Sequence, residues 1–325
     1  MRVRIATANL ENLDDTADAK PPLTVRVPIL RAELVRLNAD VVCLQEIHSQ
    51  QAANGKRELR ALEQVVAQTQ YAGFHRVSTH PQNAPFYDLR NLVILSRFPI
   101  AFSQQLMHRM APPPQYASVT ASPRPPAAVP VRWERPILHA ALEIDTQRTL
   151  NIVNVHLKSK LPTPIAGEQI NQNTWRTPSG WAEGFFLSSL KRVGQALETR
   201  FLVDALFDAD PNALMAVCGD FNSDSNDVPM MAIRGDVEST GNETLGSRVL
   251  VPCEQTIPEP ARFSLYHHGK AQMLDHVLVS RSLLQHYRGT EIHNETLHDE
   301  SVAFATDTQY PESDHAPVVA EFDLP

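Results

Sequence analysis

Six places in this sequence put a carboxylate, amide or imidazole at the tip of an apolar stretch. They are Asn9 after VRIATA, Glu46 after DVVCLQ, His156 after NIVNV, Asp220 with Asn222 in VCGDFN, Asp275 in MLDHVLV, and Asp314 with His315 before APVVAEF. On an extended backbone, residues two apart point to the same side. Asp220 and Asn222 would therefore face one small volume, a pairing suited to holding a water beside a phosphate. Carboxylate and amide oxygens are hard ligands that suit Mg²⁺, Mn²⁺ or Ca²⁺. Imidazoles and a guanidinium suit the charge that grows on a phosphate under attack. Taken singly, each position has an ordinary reading: Asn9 as a turn residue, Glu46 as surface, Asp220 and Asn222 as a helix cap, the histidines as core. Their shared placement at strand ends, where a scaffold holds side chains rigidly, argues for one site.

The elements that must position these groups can be read from periodicity. Val3 to Ala8 reads as a strand ending at Asn9, followed by the turn-like ENLDD. Val27, Leu30, Leu34 and Leu37 recur at helical spacing, with Pro28 expected in the first turn, where it is tolerated. Asp40 to Gln45 is a short buried strand, and Leu59, Leu62, Val65 and Val66 predict a second helix. Strands follow at Phe74 to Val77, Asn91 to Ser96 and Ile100 to Leu106. Residues 111–130 hold seven prolines, which excludes helix and central strand there. Ile137 to Ile144 and Leu150 to Val155 predict a strand pair. Residues 161–185 read as an irregular loop ordered by Trp175, Trp181, Phe185 and Phe186. Phe186, Leu190, Val193, Leu197 and Phe201 then step along a long helix. A hairpin around Gly269 and a last strand, Val318 to Phe322, complete an α+β pattern without repeats.

The 325 residues can bury a sizeable core, and a net charge of −8 argues against a tight, sequence-specific DNA binder while leaving room for a local basic patch. Cys43, Cys218 and Cys253 form no closed disulfide set and no zinc pattern. The N-terminus enters a strand at once and no apolar run is long enough to span a membrane. The expectation is a cytoplasmic monomer with no transmembrane segment.

At this point the motifs ATANLENL, DVVCLQEI, NLVILSRFPI, NIVNVHLKSK, VCGDFNSDSND, MLDHVLVS and ESDHAPVVAEF carry a resemblance. Taken together and in this order, the chain resembles the endonuclease/exonuclease/phosphatase superfamily, the DNase I-like fold, from Ile5 to Phe322. The resemblance implies one domain over residues 1–325: a four-layer α/β/β/α sandwich of two mostly antiparallel sheets, with the site at one end of both. It implies Glu46 as principal metal ligand, with Asn9 and Asp314 beside it, for Mg²⁺ or Mn²⁺. It implies Asp220 as the group that orients and deprotonates the attacking water, with Asn222 holding that aspartate and a phosphate oxygen. His315, held by Asp275, would bind the phosphate; His156 would contact it from the other side or protonate the leaving oxygen. Arg135 resembles the family's phosphate-contacting arginine.

Two features depart from the family pattern. Asn91 stands where many members have glycine, and segments 111–130 and 161–185 look like insertions at the site rim, where loops set substrate choice. Lys158 and Trp175 in or beside the second insertion could meet phosphates and stack bases, or the tryptophans could simply pack the loop. The implied activity is phosphodiester hydrolysis, with nucleic acid the first substrate and a small-molecule, inositol or lipid phosphoester the alternative. A binding module that lost catalysis fits poorly, because every expected catalytic position is filled.

Overall fold

A computed structural model describes residues 1–171, 173–306 and 308–325; Gln172, inside the 161–185 segment, lies outside the described residues. The first sheet is built from β1 (Arg2–Leu13), β2 (Val41–Ile47), β3 (His75–Ser78) and β4 (Asn91–Ser96), with α1 (Leu23–Leu37) and α2 (Arg60–Val66) between them. The second takes β5 (Ile100–Leu106), β6 (Ile137–Glu143), β7 (Thr149–His156), then, after the long α3 (Pro178–Ala209), β8 (Leu214–Asp220). After α4 (Val228–Arg234) come β9 (Leu250–Pro252) and β10 (Asp275–Ser280) of the second sheet, then β11 (Tyr287–Ile292) and β12 (Val318–Asp323) of the first. The strand orders are β11-β12-β1-β2-β4-β3 and β9-β10-β8-β7-β6-β5. Only β1–β2 and β7–β8 pair in parallel within them.

Alternation along the strands makes the layers. Val3 and Ile5 of β1 point between the sheets with Ile94, Ile152 and Val277, while Ala6, Ala8 and Leu10 point outward against Leu30, Leu34, Leu62 and Val65 of α1 and α2. Val153, Val155, Met215 and Val217 face outward in the second sheet against Ala196, Val203 and Phe207 of α3. The result is the α/β/β/α sandwich the resemblance implied.

Several local expectations change. β1 does not stop at Asn9 but continues to Leu13 through a bulge, with Glu11 and Asn12 at φ 42° and 47°. The bulge hides the strand's continuation from an alternation reading. Pro28 is not in the first turn: α1 begins at Leu23, and the exposed ring is tolerated because Leu23, Leu30, Leu34 and Leu37 are all buried. Pro178 and Gly180 are helical rather than irregular, since Thr177 accepts from the Gly180 amide and starts α3 with Pro178 in its first turn. The Gly269 hairpin joins Leu265–His267 to Lys270–Gln272 only, and β10 leaves it for the second sheet.

The two segments that looked like insertions fold onto each other. Each contributes short paired strands, Gln115–Tyr116 with Val129–Pro130 and Gln169–Asn171 with Thr174–Trp175. The amide of Ser122 donates to the carbonyl of Ala166 at 2.8 Å. Ala121, Val131 and Ile165 close over Leu187 of α3. Glu183 of the same helix accepts from Tyr116 Oη, the amides of Val119 and Thr120, and the Thr120 hydroxyl.

Candidate active site

Sheet register lines up the chemistry. In the parallel pair β7–β8, His156 stands opposite Asp220; in the antiparallel pair β8–β10, Asp220 stands opposite Asp275. Asp275 therefore begins its strand rather than ending it, because an antiparallel neighbour reaches the same sheet edge with its first residue. Across the sandwich, β1 and β2 bring Asn9 beside Gln45 and Glu46. Glu46 sits at φ 61° on a register shift between Leu44 and Ile47, so strand alternation does not set its direction.

Asp220 is the hub. Its Oδ1 accepts from the Asn222 amide at 2.8 Å; its Oδ2 accepts from Asn222 Nδ2 at 3.0 Å and Asn9 Nδ2 at 3.2 Å, and lies 3.2 Å from His156 Nε2. Burial alone would raise its pKa. The charge on His315 and the hydrogen bond from His156 outweigh burial and hold it well below the usual carboxylate range. With four acceptor positions on a carboxylate, Oδ1 keeps one free lone pair for a water. Asn222 has both amide hydrogens committed, to Asp220 and to the Leu157 carbonyl at 3.1 Å. It fixes the aspartate as the resemblance implied, but it has no amide hydrogen left for a phosphate oxygen.

The two histidines are held in opposite states. His315 Nδ1 lies 2.7 Å from Asp275 Oδ2. Burial works against its charge, but Asp275, Asp220 and Asp314 raise its pKa well above the ordinary value, leaving a cation with Nε2 free to act. His156 is lowered by burial and then by Arg135, so it is neutral; its one hydrogen is placed toward Asp220, with Glu46 Oε1 at 3.6 Å. Nδ1 of His156 is then an acceptor, buried without a partner. Nε2 of His156 thus faces two carboxylates, those of Asp220 and Glu46.

Opposite this cationic side lies an excess of carboxylate. Glu46 Oε2 accepts from the Asn12 amide at 2.9 Å, and Asp314 Oδ1 is buried with no partner. Burial raises the pKa of Asp314, and Glu46 pushes it further against the opposing effect of His315. Glu11, which the sequence reading left in a turn, is pushed up to about 8 by burial and by Asp314. Arg26 holds this bulge by donating to the carbonyls of Leu10, Glu11 and Pro311. An orphaned buried carboxylate oxygen beside a second carboxylate, all hard oxygen donors, fits a divalent cation such as Mg²⁺ or Mn²⁺. Asn9 turns its amide to Asp220 and its Oδ1 to the Glu11 amide, so it braces the two halves of the site. A second set, Asp220, Asp275 and His315, also offers ligand atoms within 4.8 Å of one another. Its His315–Asp275 bond and the donors crowding Asp220 fit phosphate and water handling better than metal binding.

The remaining expected residues divide. Arg135 is buried at the site, donating to the Leu157 carbonyl and within electrostatic reach of Glu46 and Asp220. Lys158 follows His156; burial, then Arg135, Lys191 and Arg192, lower its pKa to about 8. Trp175 is not brought to these groups: it packs beside Gly184 and the Ala121–Val131–Ile165–Leu187 cluster. Lys160 pairs with Asp227 at 3.1 Å. Asn91, in the glycine position, is a latch: its amide donates to the carbonyls of Ile47 and Tyr87 and its Oδ1 accepts from the Tyr87 amide, tying down the residue after Glu46.

Sequence reasoning missed three contributors. Arg90, exposed and pinned through Nε to Asn12 Oδ1 at 3.2 Å, acts electrostatically on both Glu46 and Arg135 from the rim. Gln195 of α3 donates to the carbonyls of Arg135 and His156 at 3.1 Å each, clamping two site segments. His276 is sealed between Glu254 Oε1 at 2.5 Å and the Ser223 carbonyl at 2.9 Å, beneath the loop that carries Asn222. A polar residue inside a helix or strand gives little sequence signal; the adjacency of Arg90 to NLVILS was the one available clue.

Two sheets packed face to face, with Asp275, Asp220 and His156 in register at their common end, define a DNase I-like protein. The chain belongs to the endonuclease/exonuclease/phosphatase family, whose sequence pattern matches residues 6–315. Members of this family are phosphoester hydrolases that generally depend on a divalent metal. No curated protein matches by sequence. Among solved structures, a 3' phosphatase from Neisseria bound to product DNA hairpin is 19% identical with TM-score 0.53, covering 99% of this chain and 100% of that one. An endonuclease/exonuclease/phosphatase family protein from Bacteroides thetaiotaomicron is 17% identical with TM-score 0.59, covering 100% and 96%. A mannosyl-6-phosphatase from the same organism is 16% identical with TM-score 0.58, covering 99% and 100%. At these identities the likeness is one of fold.

Proposed function

We propose that residues 1–325 form one domain that hydrolyses phosphodiesters with a divalent metal, with nucleic acid as the substrate class. The observation that carries this reading is the meeting, at one end of the two sheets, of a cationic His315–Asp275 pair, an ionised Asp220 with one free lone pair, and the carboxylates of Glu46 and Asp314, the latter with a buried oxygen that has no partner. Glu46 and Asp314 would hold the metal, which when bound neutralises phosphate charge and offers a Lewis acid. Asp220 would align the attacking water through Oδ1 and receive its proton; its low basicity makes alignment the larger part of that role. His315 would donate from Nε2 to a non-bridging oxygen as charge develops there. His156, Asn9 and Asn222 would keep Asp220 from rotating. Arg135, Lys158 and Arg90 would bind phosphate oxygens around the reacting one.

The rim cations favour a polyanion, and the neighbour bound to a DNA hairpin acts on such a substrate. A small sugar or inositol phosphoester is the second reading, favoured by the net charge of −8 and by the mannosyl-6-phosphatase neighbour. A substrate panel with Mg²⁺ and Mn²⁺ decides: plasmid, single-stranded DNA, RNA, bis-p-nitrophenyl phosphate, inositol phosphates, a sugar phosphate and sphingomyelin. The Asp220→Asn variant, whose rate should fall by about 10²–10⁴-fold, serves as the blank. Turnover of the reporter with no polynucleotide cut would move the assignment to small phosphoesters.

A further inference from the structure

The apolar stripe that sequence periodicity finds on α3 does not face the core. The buried side of the helix is Leu187, Arg192, Gln195, Glu198, Leu202 and Val203, and it is half polar because it clamps site backbone. Phe186, Leu197 and Phe201 point outward, 44%, 42% and 40% exposed, with Leu190 and Val193 half-buried between them. Trp181 and Phe185 stack on each other on a different face at the start of the helix, and Phe186 meets the Tyr116 ring at 5.3 Å. At about 150–250 Å² per large side chain, the stripe leaves on the order of 300 Å² of apolar surface on one helix face. That is within the range of the largest patch on an ordinary monomer, and such patches are often functional.

The geometry points to a second copy of this chain as the occupant, packed through α3 of both copies in an antiparallel, two-fold arrangement. Three features select it. The spacing is palindromic: a two-fold axis crossing the helix between Val193 and Gly194 sets Phe186 of one copy against Phe201 of its partner and Leu190 against Leu197, so one stripe complements itself. The steps of 4, 3 and 4 residues from Phe186 to Leu197 are those of helices that interdigitate along a shared seam. The face is also free of unpaired charge. Glu183, Arg192 and Glu198 are buried, Lys191 is held by Glu134 at 2.5 Å, and Arg200 and Asp204 beside Phe201 are paired with each other. A chain of net charge −8 repels its copies over most of its surface, and this face is an approach without that repulsion. A lipid surface is disfavoured because the arginines that flank this face, Arg200 and Arg248, are already neutralised by Asp204 and Asp208.

Sedimentation velocity of the full chain from about 1 to 100 µM tests the proposal. A dimer is expected, with Leu197→Glu raising the dissociation constant by about 30-fold or more while circular dichroism and hydrolysis of bis-p-nitrophenyl phosphate stay as in the wild type. Phe186→Glu and Phe201→Lys should each be monomeric alone and form a heterodimer when mixed, because each then meets the opposite charge across the axis. A wild-type chain that stays monomeric throughout the range overturns the proposal. So does a dimer indifferent to Leu197→Glu, the failure of the mixed variants to pair, or a monomer that binds phosphatidylcholine vesicles through this face.

Discussion

Replacing Asp275 by Asn tests the electrostatic account of the site most directly. His315 is buried, and burial alone would strip its proton near neutrality; Asp275 at 2.7 Å is the leading influence that reverses this. A hydrogen bond between charged groups contributes about 1.5–3 kcal/mol, and about 1.4 kcal/mol corresponds to one pH unit. Asp220 and Asp314 still act on the ring in the variant, so about 1–2 pH units is the expected displacement rather than the full amount. In a pH profile of kcat on bis-p-nitrophenyl phosphate at saturating Mg²⁺, the wild type should hold its rate through neutrality and fall on the alkaline side. In Asp275→Asn that alkaline limb should move down by about 1–2 pH units, with a loss of up to about 10–10²-fold on the alkaline side that narrows toward acid. A uniform loss with an unmoved limb would refute the role of Asp275 in keeping His315 charged.

Other variants probe other parts. Glu46→Gln should raise the Mg²⁺ concentration for half-activation by about 10-fold or more and abolish any Mn²⁺-induced rise in melting temperature; an unchanged metal titration would remove Glu46 from the metal side. Arg90→Ala should raise KM for DNA and flatten its dependence on log salt by about 1, leaving kcat on the small reporter unchanged; equal effects on both substrates would contradict a rim contact. Glu254→Gln should cost about 3–5 kcal/mol in urea unfolding, since it leaves a buried imidazolium unpaired. Burial lowers the pKa of His276 but Glu254 reverses this and raises it, so the pair's contribution is complete below the unfolded value of about 6.5 and is lost as pH rises through the native one. Parallel stability curves against pH for wild type and Glu254→Gln would contradict that linkage.

The sandwich was legible because its central strands are short continuous apolar runs, buried on both faces, with polar tips at their ends: DVVCLQ before Glu46 and NIVNV before His156 are strands in the structure. What escaped has physical reasons. A bulge with two residues at positive φ breaks the alternation of β1, so Glu11 and Asn12 read as a turn. Periodicity shows that α3 carries an apolar stripe but not which side meets the protein. Here buried polar residues such as Gln195 and Glu198, each bonded to backbone, occupy the inward face. Hydrogen-bond commitment is invisible in sequence as well. Nothing in GDFN tells that the amide of Asn222 is spent on Asp220 and Leu157, or that the proton of His156 points at an aspartate.

The carboxylate of Glu183 ends four donors that all come from residues 116–120, and it does so from the first turns of a helix whose middle clamps the catalytic edge. One side chain thus serves as the knot for an accessory layer that shares no strand with either large sheet. Such a layer can be lengthened, shortened or replaced between relatives while the bond-breaking groups stay where they are. A strain on that layer would be felt along α3, where Arg192 and Gln195 grip the backbone of the catalytic edge.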